Sequence, residues 1–235
     1  MNTAVSKKFD KNMLLFIGDI HGDFYFLKEC CEKVENSLLV QVGDCGLGFH
    51  KKTYEEENLK IINDTCIKNN NQLLLLFGNH DSRERFTFFR EKNIFNNIVF
   101  LNDYEIIEYK NQTIQFIGGA ISIDRTGRKE GVSYWQDECV AYKPELLKEV
   151  DVLVTHTAPS HCFPQQFNEM VYGWAGEDAY LIEDLTDERA VMDEIFKKCK
   201  PKYHYYGHFH SSWSEEINAC KHRLLDINEL YEHKV

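Results

Sequence analysis

Short apolar runs alternate with helical patterns along the first 93 residues of the chain. Three apolar runs are each followed by a stretch with helical spacing: 13–18 then 26–35, 38–43 then 54–69, and 72–78 then 82–93. Apolar runs of this length are typical of buried strands. Their alternation with helices predicts βαβ units around a parallel sheet whose two faces are both covered.

Beyond residue 97 the pattern changes to shorter segments. Apolar stretches at 98–101, 104–109 and 113–123 predict three short strands. Residues Asn111 and Gln112 are suited to the turn of a hairpin between the last two of them. We expect a helix at 136–149, a buried strand at 150–156 and a second helix at 186–199. Two final strands are expected at 211–217 and 223–227.

One long segment, residues 157–178, shows no periodicity and contains prolines and glycines. A loop of this length in a compact domain is usually functional or mobile. No internal repeat, low-complexity tract or linker interrupts the chain. We therefore predict that residues 1–235 form a single α/β domain.

The bulk composition is that of a soluble globular protein. With 43% hydrophobic and 13% aromatic residues, the chain can bury a sizeable core, and none of its apolar runs is long enough to span a bilayer. The first twelve residues lack the apolar segment of a secretory signal, so we expect a cytoplasmic location without membrane association. A formal net charge of −11 does not favour long-range attraction to nucleic acid.

The eight cysteines are scattered along the chain without a CxxC pair. A chain of this length does not need covalent staples, so reduced thiols in a reducing compartment are predicted. Cys45 lies beside Asp44 in the sequence. It is expected to be a small packed thiol rather than a redox sensor.

Several predicted strands end in residues that bind metals. These strand ends are Gly18-Asp19-Ile20-His21, Gly43-Asp44, Gly78-Asn79-His80, Thr155-His156 and Gly207-His208-Phe209-His210. Ligands bind at the carboxyl ends of the strands in open α/β sheets. The five strand ends therefore deliver aspartate, asparagine and histidine side chains to one rim. In the last of them, His208 and His210 would point to the same side of an extended strand, and a flanking turn could bring both onto one centre.

This mixture of oxygen and nitrogen ligands suits Mn, Fe or Zn rather than Ca, and manganese is the first choice. Seven candidate ligands are too many for one ion with open positions, and they suit two ions that share a carboxylate. Two such ions clamp the attacking and leaving oxygens of a phosphoryl transfer and activate a water. The residues therefore predict phosphoester hydrolysis by metal-bound hydroxide.

The five motifs, in their order and spacing, resemble the calcineurin-like metallophosphoesterase superfamily, including its small bacterial and phage-type members. The resemblance runs from residue 18 to residue 210 and implies a four-layer αββα sandwich that holds two divalent ions. It assigns Asp19, His21 and His210 to the first ion. Asp44 would bridge the two ions, and the second ion would be held by Asn79, His156 and His208. The catalytic pair is Asp44 with His80, which matches the family histidine that contacts the phosphate and protonates the leaving oxygen.

Two departures from the family pattern concern the substrate. The phosphoprotein phosphatases of the superfamily read GDxVDRG at the second motif and GNHE at the third. Here Leu47 stands in place of the aspartate that partners the histidine, and Gly48 stands in place of a phosphate-binding arginine. The third motif ends in Asp81. These differences argue against a protein phosphatase.

A smaller resemblance, to bacterial and phage-type members with the motif GGAxSID, covers residues 118–124. Arg125 and Arg128 follow this motif. Because a guanidinium group matches phosphate oxygens, either arginine is a candidate for the phosphate clamp that Gly48 lacks. The predicted substrate contacts are therefore Asn79, His80, Arg128 and Arg125.

Residues outside the motifs receive ordinary interpretations. Asp23 is expected to cap a helix. Arg83 and Arg85 are expected on a solvated face. Tyr172 and Trp174 could equally be ordinary loop residues or residues that stack on a base or cover the site. The remaining five histidines match no motif and are expected to be ordinary, with His161 the first to watch as a substrate contact: His50, His161, His204, His222 and His233.

The favoured function is hydrolysis of a nucleotide, a nucleic-acid end or another small phosphoester. One alternative is a protein or small-molecule phosphomonoesterase, because the same ligand set serves monoesters and diesters. The other alternative is a non-catalytic, metal-bound interaction scaffold. Intact motifs, including His80, favour the enzyme.

Overall fold

The structure is a computed structural model that describes residues 5–234. Its described residues form five α-helices: α1 Phe24–Glu32, α2 Lys52–Lys68, α3 Arg83–Lys92, α4 Glu169–Ala175 and α5 Leu181–Cys199. Two short 3-10 helices lie at Arg125–Gly127 and Pro144–Leu146. In the described part of the chain, each helix is too short or too polar to cross a membrane.

The strands form two sheets. The five-stranded sheet contains β2 Met13–Ile17, β3 Ser37–Gln41, β4 Gln72–Leu75, β5 Ile98–Phe100 and β12 Leu230–Glu232. The seven-stranded sheet contains β1 Lys7–Phe9, β6 Ile106–Tyr109, β7 Gln112–Ile117, β8 Val152–Thr155, β9 Tyr203–Tyr206, β10 Trp213–Ile217 and β11 Cys220–Leu224.

The predicted parallel sheet is the five-stranded one. Strands β2, β3, β4 and β5 run parallel in chain order. The short strand β12 adds to the free edge of β2 in the antiparallel direction. The order of the seven-stranded sheet is β1-β6-β7-β8-β9-β11-β10, and its centre, from β7 to β11, is parallel.

Alternation along the strands divides the core into layers. In β2, Leu15 packs towards helices α1 to α3, whereas Leu14 packs towards the other sheet. A third cluster, which includes Leu153 and Met192, lies between the seven-stranded sheet and α5. Side chains on a strand point alternately to its two faces, so each sheet buries both of its faces. The result is the predicted four-layer αββα sandwich.

Several local predictions were wrong. No α-helix forms over 136–149, which contains only the 3-10 turn at Pro144 within the described chain. Tertiary hydrogen bonds take its backbone groups instead: the Tyr104 hydroxyl donates to the Ala141 carbonyl and accepts from the Lys143 amide. The hairpin turn lies one residue earlier than predicted, at Lys110 and Asn111, because Tyr109 pairs with Gln112.

Segment 157–178 is not entirely irregular, because it contains α4. The side chain of Asn168 accepts a hydrogen bond from the Val171 amide and so caps this helix. Likewise, α5 begins five residues before the predicted start, at Leu181 instead of 186. Both differences arise where local capping or packing overrides a weak apolar period.

Candidate metal centre

The structure brings all seven predicted ligands to the carboxyl ends of β2, β3, β4, β8 and β9. Four of the ligand-bearing groups lie within 4.8 Å of one another: Asp19, His21, Asp44 and His210. The Nε2 atoms of His21 and His210 are 3.0 Å apart, and His210 Nε2 lies 3.4 Å from Asp19 Oδ2. This group is the set predicted for the first ion together with the shared carboxylate.

The remaining ligands converge on the amide of Asn79. Its Oδ1 lies 2.9 Å from His156 Nε2 and 3.0 Å from His208 Nδ1. His156 Nε2 is also 3.1 Å from Asp44 Oδ1. The other oxygen, Asp44 Oδ2, faces His21 Nε2 at 3.9 Å. Asp44 therefore lies between the two groups and presents one carboxylate oxygen to each.

The backbone is strained where it presents these side chains. Four of the seven predicted ligands have a positive φ: His21 44°, Asp44 60°, His208 70° and His210 46°. Such angles are uncommon for residues other than glycine and concentrate at functional sites. The extended conformation considered for His208 and His210 is therefore wrong, since β9 ends at Tyr206 and a turn directs His208 to Asn79 and His210 to His21.

Two motif glycines make room for the carboxylates. A Cβ atom on Gly78 would overlap Asp44 Oδ1, and a Cβ on Gly207 would overlap Asp19 Oδ1. The strand ends thus pack directly against the charged groups. Any larger residue at either position would displace a predicted ligand.

Neighbouring groups fix the orientation of the ligands. His156 Nδ1 lies 3.0 Å from the Val42 carbonyl, which makes Nδ1 the protonated nitrogen and leaves Nε2 to face Asp44 and Asn79. The Asn79 Nδ2 group donates to Ser122 Oγ at 2.9 Å, and Ser122 Oγ donates to Glu138 Oε2 at 2.7 Å. Hydrogen-bond partners of this kind orient the residues that bind the metal directly. Sequence analysis missed this role for Ser122 and Glu138.

Asp81 is the other residue that sequence analysis missed. Its carboxylate is fully buried and accepts four backbone N–H groups, from Cys45, Gly46, Leu47 and Gly78. Burial and the nearby charge of Asp44 raise the pKa of Asp81 to about 7. All four contacts are donors, so the ionised form fits the site, because a protonated carboxyl would bury an O–H without an acceptor. Asp81 ties the second and third motifs together.

The electrostatics of the centre fit divalent cations. Asp19 and Asp44 are both fully buried. Within residues 5–234 they form ion pairs only with histidines and not with a lysine or an arginine. Burial alone would raise the pKa of Asp44, yet His156, His80 and His21 hold it well below its ordinary value. Buried charges of this kind need a compensating charge.

Two further features of the centre, at His156 and at Asp44, favour a bound cation. Burial opposes protonation of His156, but the Asp44 and Asp19 carboxylates raise its pKa to about 10. The two carboxylates thus favour a positive charge next to His156 Nε2, where a metal ion would supply it. Asp44 Oδ2 is buried without a hydrogen-bond partner in the described residues. The donor set, the buried negative charge and the unpartnered oxygen all suit metal ions.

The centre opens onto a cavity of about 450 Å³. Its polar lining includes Asn79, His80, Arg128, His208 and His210. Its apolar wall includes Ile123, Phe167, Met170, Val171, Trp174 and Phe209. Most of that wall belongs to segment 157–178, which therefore contributes directly to the cavity.

Comparison with known proteins agrees with this geometry. The profile of the calcineurin-like phosphoesterase family matches residues 13–212. The chain belongs to this family. It is accordingly a metal-dependent hydrolase of phosphoesters, and the non-catalytic scaffold is not favoured. Among curated proteins, no sequence matches the chain.

Solved structures share the fold at low sequence identity. Phosphopantetheinyl hydrolase from Mycobacterium tuberculosis is 12% identical, with a TM-score of 0.50 over 93% of this chain and 90% of that chain. A dimetal phosphatase from Danio rerio is 12% identical, with a TM-score of 0.50 over 93% of this chain and 88% of that chain. The metallophosphoesterase sandwich is thus shared while most side chains differ.

His80 lies beside the ligands without a carboxylate partner for its outer nitrogen. Its Nε2 is 4.0 Å from Asp44 Oδ2, and its Nδ1 is buried without a hydrogen bond in the described structure. The residue that could have supplied a carboxylate in this phosphoesterase is Leu47, which is fully buried. Burial lowers the pKa of His80, Asp44 raises it, and Arg128 lowers it further. The imidazole is therefore mostly neutral at neutral pH.

The two candidate arginines lie in different surroundings. Arg128 lines the cavity beside His80, where its Nε donates to Asp124 Oδ1 and its Nη1 to the Ser133 carbonyl. Arg125 is outside the described cavity lining, and its guanidinium contacts Asp178 and Asp184 at 2.5 Å each. The substrate contact predicted for each arginine stays a prediction, and the structure favours Arg128.

Other residues singled out in the sequence are placed as follows. Asp23 caps α1 by accepting a hydrogen bond from the Phe26 amide, which confirms its interpretation. Cys45 is fully buried, as expected of a packed thiol. Trp174 lines the cavity, whereas Tyr172 is exposed and lines a neighbouring groove.

The arginines after the third motif are not simply solvated. Arg83 pairs with Asp103 at 3.2 Å, and Arg85 pairs with the buried carboxylate of Glu55 at 2.5 Å. Glu55 in turn accepts the Gly48 amide at 2.7 Å. The solvated-face interpretation of both arginines is therefore wrong, because each forms an ion pair with a carboxylate of another segment.

Proposed function

We propose that this phosphoesterase hydrolyses a small phosphoester with an apolar or aromatic organic group, and that nucleotides are the first class to test. The observation that carries the proposal is the cavity itself. Its lining combines Asn79, His208 and His210 of the two ligand groups with the rings of Trp174, Phe167 and Phe209. A phosphate at the centre would place the organic group against these rings.

The size and charge of the protein support a small substrate. A cavity of about 450 Å³ suits a nucleotide-sized molecule better than a folded phosphoprotein. The net charge of −11 gives no long-range attraction for duplex nucleic acid, so a short end or a mononucleotide is favoured. Leu47 and Gly48 also lack the groups that the phosphoprotein phosphatases use there.

We infer that two divalent ions are held by the two ligand groups, with Asp44 shared between them. When bound, such ions supply charge neutralisation and an activated water for attack on phosphorus. Manganese is the first metal to test, followed by iron and zinc. The protein's own residues would then position the ester. Asn79 is held by Ser122, and Arg128 borders the place where phosphate oxygens would lie.

His80 is proposed as the group that assists the leaving oxygen. Its Nε2 faces the centre, and the N–H group of the neutral ring can donate a hydrogen bond to a phosphate oxygen. An approaching phosphate would raise the pKa of the imidazole by its negative charge. His80 would then carry a proton that it could deliver to the departing oxygen.

A second proposal concerns organisation and location. Both sheets bury one shared apolar cluster, which supports residues 1–235 as a single domain. All eight cysteines are free, which supports the reducing environment of the cytoplasm.

The testing experiment is hydrolysis of bis-p-nitrophenyl phosphate and p-nitrophenyl phosphate by metal-stripped protein. Mn, Fe, Zn and Mg are added back in turn, followed by a panel of nucleotides. Asp44→Asn and His80→Ala serve as the inactive controls. We expect metal-dependent turnover that both variants lose, and faster turnover of aromatic esters and nucleotides than of sugar phosphates. Equal turnover of all esters would contradict the role assigned to the apolar wall.

A further inference from the structure

A second cluster of metal-binding side chains lies between the seven-stranded sheet and α5. His161 and Cys162 belong to the loop after β8, and His222 belongs to β11. Phe196 of α5 packs against both histidine rings, with centroid distances of 4.9 Å to His161 and 5.2 Å to His222. None of these residues is among the seven predicted ligands. The cluster is therefore separate from the candidate metal centre.

The three donor atoms are close enough to share one ion. One ring nitrogen of His161, one of His222 and the Cys162 Sγ all lie within 4.8 Å of one another. Cys162 Sγ is 3.1 Å from His222 Nδ1. Cys162 is fully buried, and His222 is 2% exposed. A sulfur and two imidazoles form a donor set that zinc prefers.

A hydrogen-bond chain leads from Thr155 through His204 to His222. The Thr155 hydroxyl gives its hydrogen to the Thr157 carbonyl, so its oxygen accepts from His204 Nε2 at 2.8 Å. His204 is fully buried without a carboxylate contact and is therefore neutral, which leaves a lone pair on its Nδ1. That atom and Cys162 Sγ each lie 3.1 Å from His222 Nδ1. Two lone pairs at this distance repel each other, so the two imidazole nitrogens share a proton or a cation.

The other ring nitrogen of His222, Nε2, has no partner. In the described residues it is buried and makes no hydrogen bond. A buried polar atom without a partner is costly. It thus marks a place where a ligand is missing.

His161 presents a second unpartnered nitrogen beside the first. Its Nδ1 faces Asp193 Oδ1 at 3.5 Å. Its Nε2 is buried without a hydrogen-bond partner in the described part of the chain. The two rings are 5.5 Å apart between centroids and inclined at 80°. A carboxylate behind a histidine is a common outer partner in zinc sites.

We propose that His161, Cys162 and His222 form a second, soft-metal site that binds zinc independently of the phosphoesterase centre. Binding would release the Cys162 thiol proton and satisfy the unpartnered imidazole nitrogens. An ion could enter from a groove of about 480 Å³ that His161 lines together with Ser160, Asp193 and Lys197.

The site would anchor a wall of the catalytic cavity. Cys162 lies two residues before Pro164, which lines that cavity, and His222 lies in the body of the seven-stranded sheet. An ion shared between them would join loop and sheet. Its role would accordingly be structural, and its loss would lower thermal stability.

The test uses cobalt in place of zinc in the full-length protein. A cysteine ligand gives Co²⁺ a thiolate charge-transfer band in the near ultraviolet, and the phosphoesterase centre contains no proposed cysteine ligand. We expect this band in the wild-type protein, and we expect Cys162→Ala to remove it and one equivalent of bound cobalt per chain. The matched control is Cys199→Ala, which removes another buried thiol, one that is hydrogen-bonded to Gln115. This variant should keep both the charge-transfer band and the full number of bound cobalt ions.

Two further measurements keep the proposal open to refutation if Cys162→Ala does not fold. X-ray absorption at the zinc edge of wild-type protein should show sulfur together with nitrogen around one class of bound zinc. His161→Ala, at a half-buried loop position, should weaken binding of this ion at least tenfold. Cobalt-loaded wild-type protein without a thiolate band, or a band that persists in folded Cys162→Ala, would overturn the proposal.

Discussion

The Nε2 atoms of His21 and His210 lie 3.0 Å apart although 189 residues separate them in the chain. Two imidazole nitrogens at this distance require a proton or a cation between them, because two lone pairs repel each other. Asp19 and Asp44 flank the pair with buried carboxylates. The arrangement therefore favours a cation at this position, and it joins the first and last motifs of the chain.

The carboxylate of Asp81 should hold the centre together without binding metal. Asp81→Asn would replace one of two accepting oxygens with an amide that faces N–H donors. We expect a loss of about 2–4 kcal/mol in the free energy of unfolding, since hydrogen bonds to a charged group are lost in a buried site. Chemical denaturation of the metal-free protein measures this. Asp64→Asn, at an exposed position of α2, is the control, and a loss no larger than in that control would contradict the role of Asp81.

Replacing His80 should separate catalysis from metal binding. We expect His80→Ala to lower kcat by roughly 10²–10⁴-fold, as is usual for loss of a general acid. The number of bound metal ions should stay the same, because His80 is not among the proposed ligands. Steady-state kinetics and metal analysis on the same sample check both statements. His50→Ala, an exposed ring packed on Tyr54, is the control, and loss of metal from His80→Ala would show that the histidine is a ligand.

The two arginines should respond differently to substitution. Arg128→Ala should lower kcat/KM roughly tenfold to a hundredfold, about 1.4–3 kcal/mol, through loss of a charged phosphate contact. Arg125→Ala should instead lower the melting temperature, because Asp178 and Asp184 lose their partner. Kinetics and thermal unfolding of both variants make the comparison. Unchanged activity in Arg128→Ala would remove this arginine from the substrate site.

His233 should make the protein less stable in mild acid. Burial lowers its pKa to about 4, while its neutral ring accepts from the Tyr205 hydroxyl and donates to Gln112. The unfolded chain has the ordinary histidine pKa of about 6.5, so it binds more protons than the folded chain between these values. Stability is thus present above about pH 6.5 and is lost as pH falls towards 4.

The matching experiment compares the wild-type protein with His233→Gln, both metal-free, by denaturation at pH 7.5 and pH 4.5. The stability advantage of the wild-type protein should shrink by about 2 kcal/mol at the lower pH. A constant advantage at both values would mean that the folded pKa of His233 is ordinary.

The sequence predicted the parts of the fold that depend on strong periodic patterns. The three strand–helix units of the first 93 residues are present because continuous apolar runs are typical of strands buried on both faces of a sheet. The helix expected over 136–149 failed because Pro144 disfavours helical geometry at Lys143 and because the Tyr104 hydroxyl pairs with backbone groups of Ala141 and Lys143. Strand β12 was missed because a run of three residues is too short to show the alternation that identifies a strand.

The candidate site was predictable where chemistry alone identifies the residue. Aspartate, asparagine and histidine at the strand ends indicated the seven candidate ligands, and the structure brings them together. Asp81 was within the third motif, yet its function depends on backbone amides that only the folded turns bring together. Ser122 and Glu138 likewise act through Asn79 across long sequence distances, which no local pattern shows.

The central claim is that Asp44 is shared by two metal ions. The most direct test is electron paramagnetic resonance of manganese-loaded protein, combined with the number of bound ions per chain. We predict two Mn²⁺ ions with the spectrum of a spin-coupled pair, and loss of that coupled spectrum in Asp44→Asn. A single ion per chain, or two ions with the spectrum of isolated Mn²⁺, would contradict the claim.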